Sequence, residues 1–168
     1  MTPMFRFSLV YGMLLGLALL LVEAALYFIA PTMTYPEIVQ IAVLLVLAYF
    51  FVRHYKESVE EGYLMLGDAM RVGLMTGFAA GIIVGFVNFL YIKYIDSSVL
   101  EELNVLINKN KDLTDAEKAD SIAALYSPMY HVAVQCFVWS IFAFVSFLVV
   151  GLFLKKEKTI FEDNKIQD

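Results

Sequence analysis

The chain has 168 residues, 61% of them apolar and 17% charged, with a formal net charge of −5 and a mean hydropathy of +0.74. An ordinary soluble domain is about 45 to 50% apolar and about 25% charged, so this composition excludes a water-soluble globule and points to a chain immersed in lipid. The acidic balance without a basic patch argues against nucleic acid as a partner, and a single cysteine, Cys136, excludes an intrachain disulfide.

The apolar residues cluster into four runs nearly free of charge. They are Phe7 to Ala30 with only Glu23, Ile38 to Val52 and Val72 to Ile92 with none, and Met129 to Leu154 with only His131 as a titratable group. A spanning helix needs about 20 apolar residues, so each run is a span, the second borrowing interfacial residues at both ends. The expected spans are about 7–30, 36–54, 70–92 and 129–154. Arg6 and the small residue in Val22-Glu23-Ala24 have the flavour of a signal peptide. The run continues to Pro31, however, beyond a signal core of about 7 to 15 residues, so it is expected to stay.

With four spans, both termini and the connection between spans two and three lie on one side. That side carries Arg6, Arg53, Lys56, Arg71, Lys155, Lys156, Lys158 and Lys165, against Lys93, Lys109, Lys111 and Lys118 on the other. Basic residues favour the cytoplasm, which places both termini and the tail 155–168 inside and makes the chain a multi-pass inner-membrane protein. On the inner side, "RHYKESVEEGYLMLGDAM" reads as a helical extension of span two, a break at Gly62 and an amphipathic entry to span three. Tyr63, Leu64 and Leu66 are expected at the headgroup level.

The outer loop 96–128 is patterned. Ser98 with Glu101, and Thr114 with Glu117, fit the capping box that opens a helix. Val99, Leu103, Leu106 and Ile107 share one helical face, and Ala116, Ala119, Ile122, Ala123 and Tyr126 share another. The expected fold is all-α: a polytopic membrane protein forming a four-transmembrane-helix bundle, with an extramembrane helical hairpin between spans three and four.

Span three carries "GLMTGFAAGIIVG", with Gly73, Gly77, Gly81 and Gly85 at every fourth position. Four residues advance about 400° around a helix, so the glycines form a narrow, slowly winding stripe. Hydrocarbon gives helices no hydrophobic reason to associate, and small residues at this spacing permit the close backbone approach that association there requires. The first expectation is packing on Gly12 and Gly16 of span one within the same chain. The alternative is a homodimer seam. A phosphate cradle is excluded, because such loops follow a strand and carry a lysine.

Five polar residues lie in the outer half of the spans. At about 1.5 Å of rise per residue, Gln40 and Asn88 lie roughly 5 to 6 Å in, Gln135 and Glu23 roughly 9 to 10 Å, and His131 nearer the surface. One reading is a small polar pocket with Glu23 as proton carrier or cation ligand and His131 at its mouth. The plain alternative is interhelical hydrogen bonding. Trp139, near mid-membrane, reads as packing filler. Tyr27, Tyr35, Tyr91, Tyr94, Tyr126 and Tyr130 read as an aromatic belt at the outer boundary.

A metal or catalytic centre is not expected. His54 and His131 fall on opposite sides of the bilayer, and His54 with Glu57 and Glu61 reads as a solvated helix face. There is no HExxH, no GxSxG and no cysteine pair, so the chain reads as a non-enzyme without a cofactor.

From Arg53 onward, "RHYKE", "GYLMLGDAMRVG", the glycine-rich span and "YIKYID" resemble the bacterial four-span membrane proteins grouped as domain-of-unknown-function family 4199. The resemblance rests on Tyr55, Gly62, Tyr63, Gly67, Ala69, Gly73, Tyr91, Ile95 and Asp96; spans one and four agree only in hydrophobicity and position. Leu66 departs from the family's usual aromatic, Asp68 from its glutamine, and Ser97 from the proline that commonly follows the aspartate. The resemblance implies a four-helix integral membrane fold and no reaction or substrate. The first functional expectation is therefore a structural or interaction component, lodged in the lipid bilayer and binding a second copy or a membrane-protein partner through the glycine seam and the outer hairpin. The alternative is a small transporter or proton-linked carrier using Glu23, Asn88 and Gln135.

Overall fold

The computed structural model describes residues 2–29 and 35–156, apart from the side chain of Val99. The connection around Pro31 lies outside the described residues, as does the expected tail beyond Lys156 with Lys158 and Lys165. Six helices occur among those described: α1 (Pro3–Ile29), α2 (Pro36–Ser58), α3 (Leu66–Tyr94), α4 (Ser98–Lys109), α5 (Asp115–Leu125) and α6 (Pro128–Leu154). There is no β-strand among them. Four helices, α1, α2, α3 and α6, are long and apolar enough to cross a membrane, which makes this an all-helical, multi-pass membrane protein.

Proline opens three of the spans, at Pro3, Pro36 and Pro128. A first-turn residue has no intrahelical acceptor for its N–H, so losing that donor costs nothing there. The four spans close a ring in the order α1, α3, α6, α2. α3 is the most buried and packs most extensively on α6, then on α1. The axis is filled by Leu15, Leu19, Leu44, Ala48, Ala80, Ala143 and Phe147, all essentially inaccessible.

The glycine stripe packs on α6, which corrects the expected pairing with Gly12 and Gly16. A Cβ built on Gly73 would meet Phe147, on Gly77 Trp139 and Ser140, on Gly81 Cys136, and on Gly85 Val132. Gly12 and Gly16 instead abut Thr76, Ala79, Ala80 and Ile83, on a different face of α3. The central helix thus needs two small-residue faces, and the four glycines serve the more intimate one. α6 already covers that stripe, so it is not an exposed dimer seam.

At the end where α1 begins and α6 finishes, aromatic rings close the bundle. Phe7 stacks on Tyr11 at 4.0 Å and meets Tyr55 edge-on at 5.1 Å, and Tyr11 meets Phe51 at 4.8 Å. His54 stacks beside Phe7 and Tyr11, and its neighbour Glu57 pairs with Arg53 at 3.0 Å. The α2–α3 connection turns at Glu61 (φ 51°) and Gly62 (φ 89°), and the second of these is a conformation glycine adopts without steric cost. It is then stapled to the end of α6. The Leu64 and Lys156 backbones exchange hydrogen bonds of 2.9 and 3.2 Å, and Lys56 Nζ donates to the Leu154 carbonyl at 2.9 Å. Leu64 is therefore a core residue, 1% exposed, rather than a headgroup-level one. Of the expected amphipathic entry only Leu66 belongs to α3, while Tyr63 and Leu64 precede it in the connection.

At the other end stands the hairpin of α4 and α5. The Thr114 and Glu117 box is formed: Thr114 Oγ1 accepts from the Glu117 N–H, and Glu117 Oε2 accepts from the Thr114 N–H at 2.8 Å. These bonds hold the Glu117 carboxyl below its usual range. The Ser98 and Glu101 box is not formed. The cap starts earlier: Asp96 Oδ1 accepts from the Ser98 N–H and hydroxyl at 3.1 and 2.6 Å, and Ser97 Oγ donates to Glu101. Asp96 is more acidic for it, because its bonds favour the charged form.

Candidate functional site

Each span's buried stripe turns polar over its last two turns toward the hairpin end. On α2 the stripe Tyr55, Phe51, Ala48, Leu44 continues to Gln40 and Glu37 at helical spacing. On α3, Ala80 and Val84 lead to Asn88; on α6, Ala143 and Trp139 lead to Gln135; on α1, Leu15 and Leu19 lead to Glu23 and Leu26. The ring of helices aims these four stripes at one axis. They line a single cavity of about 440 Å³, walled by Glu23, Leu26 and Tyr27 of α1, Pro36, Glu37, Gln40 and Ile41 of α2, Val84 and Asn88 of α3, and Gln135, Val138, Trp139 and Phe142 of α6.

Glu23, Gln40, Asn88 and Gln135 therefore share one cavity, and His131 does not line it. The His131 Nε2 lies 2.8 Å from the carbonyl oxygen of Leu125, the last residue of α5, and its ring lies 5.6 Å from that of Phe89. It ties the hairpin to the top of α6, where sequence position alone suggested the mouth of a pocket. Glu37 and Trp139 are cavity residues that sequence reasoning assigned to an interfacial end and to packing. The signal for Glu37 was present, since it lies three residues before Gln40 and seven before Leu44 on one helical face.

The polar groups of the cavity are not spent on one another. Among the described residues, none of Glu23, Glu37, Gln40, Asn88 and Gln135 is hydrogen-bonded or ion-paired through its side chain. Interhelical bonding, the plain alternative, would have joined them across the axis. Trp139 also borders the cavity; it is 7% exposed, and its indole N–H is buried without a hydrogen-bond partner. Below this level the axis is closed by Leu15, Leu19, Leu44 and Ala48, so the cavity is blind toward the termini.

Among the described residues the lining's only charged groups are two carboxylates, and the connection at 30–34 contains no charged residue. Leu26, Ile41, Val138, Trp139 and Phe142 supply an apolar wall. Ligand sites of roughly 300 to 1,000 Å³ commonly combine such a wall with a few convergent polar groups. A second, larger concavity of about 860 Å³ lies over the exposed face of α3 between α1 and α6; apart from Ser8, Ser140 and Cys136, its lining is apolar. That surface is chemically matched to hydrocarbon.

The model of one protein family, described as a protein of unknown function (DUF4199), matches residues 10–156. No curated protein and no solved structure matches the chain.

Proposed function

The chain belongs to the DUF4199 family, whose description carries no activity, and from its cavity we propose that it is a membrane-embedded binding protein for a small polar solute. The observation that carries this reading is the convergence of unpaired Glu23, Glu37, Gln40, Asn88 and Gln135 from α1, α2, α3 and α6 on one blind cavity. Polar side chains inside a span are costly and ordinarily pair or line a water-filled space. Since the side chains do not pair with one another, our reading takes the second arrangement. The excess of basic residues at the termini end supports an inner-membrane orientation with that end in the cytoplasm and the cavity opening outward. Transport by the same site would require the plug of Leu15, Leu19 and Leu44 to part.

A partner-binding reading loses its seam to α6 but keeps the hairpin, where Leu103 and Leu106, three residues apart on one face of α4, are 37 and 62% exposed. That face favours a docked partner as a second, compatible role.

Substituted cysteines test the cavity. In a Cys136→Ala background, Gln40→Cys and Gln135→Cys should react in intact cells with a membrane-impermeant thiol reagent. Phe137→Cys, on the outside of α6 at 70% exposure, should not. Equal silence at Gln135 and Phe137 would show that water does not enter the bundle from outside.

A further inference from the structure

We propose that the cavity's ligand is a small organic ammonium ion, its charged head between Glu23 and Glu37 and its carbon body against Trp139 and Phe142. This rests on the binding reading above and adds the ligand's sign and shape. Both charges in the lining are negative and neither meets a cationic side chain, so an anionic ligand would be repelled while a cation would supply the missing partner. Trp139 and Phe142 add aromatic rings to the wall, and a ring face attracts a nearby ammonium through its quadrupole.

A bare hard cation suits the cavity less well. Such ions want a close cage of oxygens at about 2.0 to 2.6 Å, and a cavity of about 440 Å³ walled in part by indole and phenyl rings is too wide and too apolar to form one. The same width suits a ligand with a carbon body. The three amides, Gln40, Asn88 and Gln135, offer carbonyl acceptors for the ammonium N–H groups and amide donors for any hydroxyl the body carries.

Trp139 is the chain's only tryptophan and stands in the cavity wall, so its fluorescence reports occupancy without a label. The detergent-solubilised full chain is titrated with n-butylammonium, 1-butanol, butyrate and potassium chloride. The expected result is a saturable change with n-butylammonium, about tenfold or more tighter than with 1-butanol, and none with butyrate or potassium. Glu23→Gln and Glu37→Gln should each weaken it, and the double variant should abolish it. If 1-butanol or butyrate binds as well as n-butylammonium, or potassium displaces it at equal concentration, the organic-cation assignment is overturned. The wild-type series decides this even should a variant fail to fold. Labelling at Gln135→Cys separates the two levels. A labelled cavity that ignores n-butylammonium refutes the ammonium ligand alone, whereas an unlabelled one refutes the binding cavity itself.

Discussion

Gly81→Ala is expected to lower the melting temperature in detergent by roughly 10 °C, corresponding to about 3 kcal/mol, the upper end of ordinary overpacking. The added methyl would lie 2.6 Å from the Cys136 nitrogen and 2.7 Å from the Gln135 carbonyl oxygen. Both are backbone atoms, which cannot rotate away as a side chain could. α6 must retreat along its whole contact with α3, and in hydrocarbon that contact is held by close packing with no hydrophobic gain to replace it. Gly77→Leu should prevent folding altogether, because Gly77 meets the backbone at Trp139 and Ser140. Gly67→Ala supplies the control. Nothing lies within 4 Å of its added carbon, and replacing a helical glycine there should leave the melting temperature unchanged or raise it, by about 0.5 to 1 kcal/mol. Any change in oligomeric state in Gly81→Ala should accompany unfolding. A folded Gly81→Ala monomer arising from a wild-type dimer would mean that the stripe contacts a second chain.

Glu23→Leu should fold fully and melt at or above wild type. A carboxylate within a span costs up to about 3 kcal/mol relative to an aliphatic residue, discounted here because Glu23 faces an open cavity. Had Glu23 held Asn88 or Gln135, its removal would strand a buried polar group at a cost of about 1 to 3 kcal/mol. No such bond exists in the described residues. Purified yield and thermal melting distinguish the two. A variant that is stable but has lost n-butylammonium binding would show a residue kept for its ligand, and a collapsed one would show a structural bond.

The four spans were legible because charge-free runs of this length have one physical solution. Their ends moved by a few residues, as where α3 begins at Leu66 and not near residue 70. The stripe was legible as a packing face but its partner was not. Glycine spacing specifies close approach and says nothing about which helix approaches, and both Gly12 and the backbone at Cys136 satisfy that demand on different faces of α3. Glu23, Gln40, Asn88 and Gln135 were visible as intramembrane polar residues, because their cost in lipid marks them. His131 was visible for the same reason and proved to bind the Leu125 carbonyl instead. Depth along each helix can be counted from sequence, whereas azimuth around the bundle depends on how the helices are set together. Glu37 and Trp139 escaped notice because an acid in a first turn and an aromatic in a span each have an ordinary explanation.

The most direct test of a water-filled binding cavity inside the bundle is the quenching of Trp139 in bilayers, comparing aqueous acrylamide with brominated lipid acyl chains. Trp139 sits near the middle of α6, so depth alone would favour the lipid quencher, while its place in the cavity wall favours the aqueous one. Acrylamide should quench Trp139 and brominated chains should leave it nearly unaffected, with Phe137→Trp in a Trp139→Phe background showing the reverse. Quenching of Trp139 by brominated chains, with acrylamide inert, would contradict the cavity and return the polar residues to a structural role.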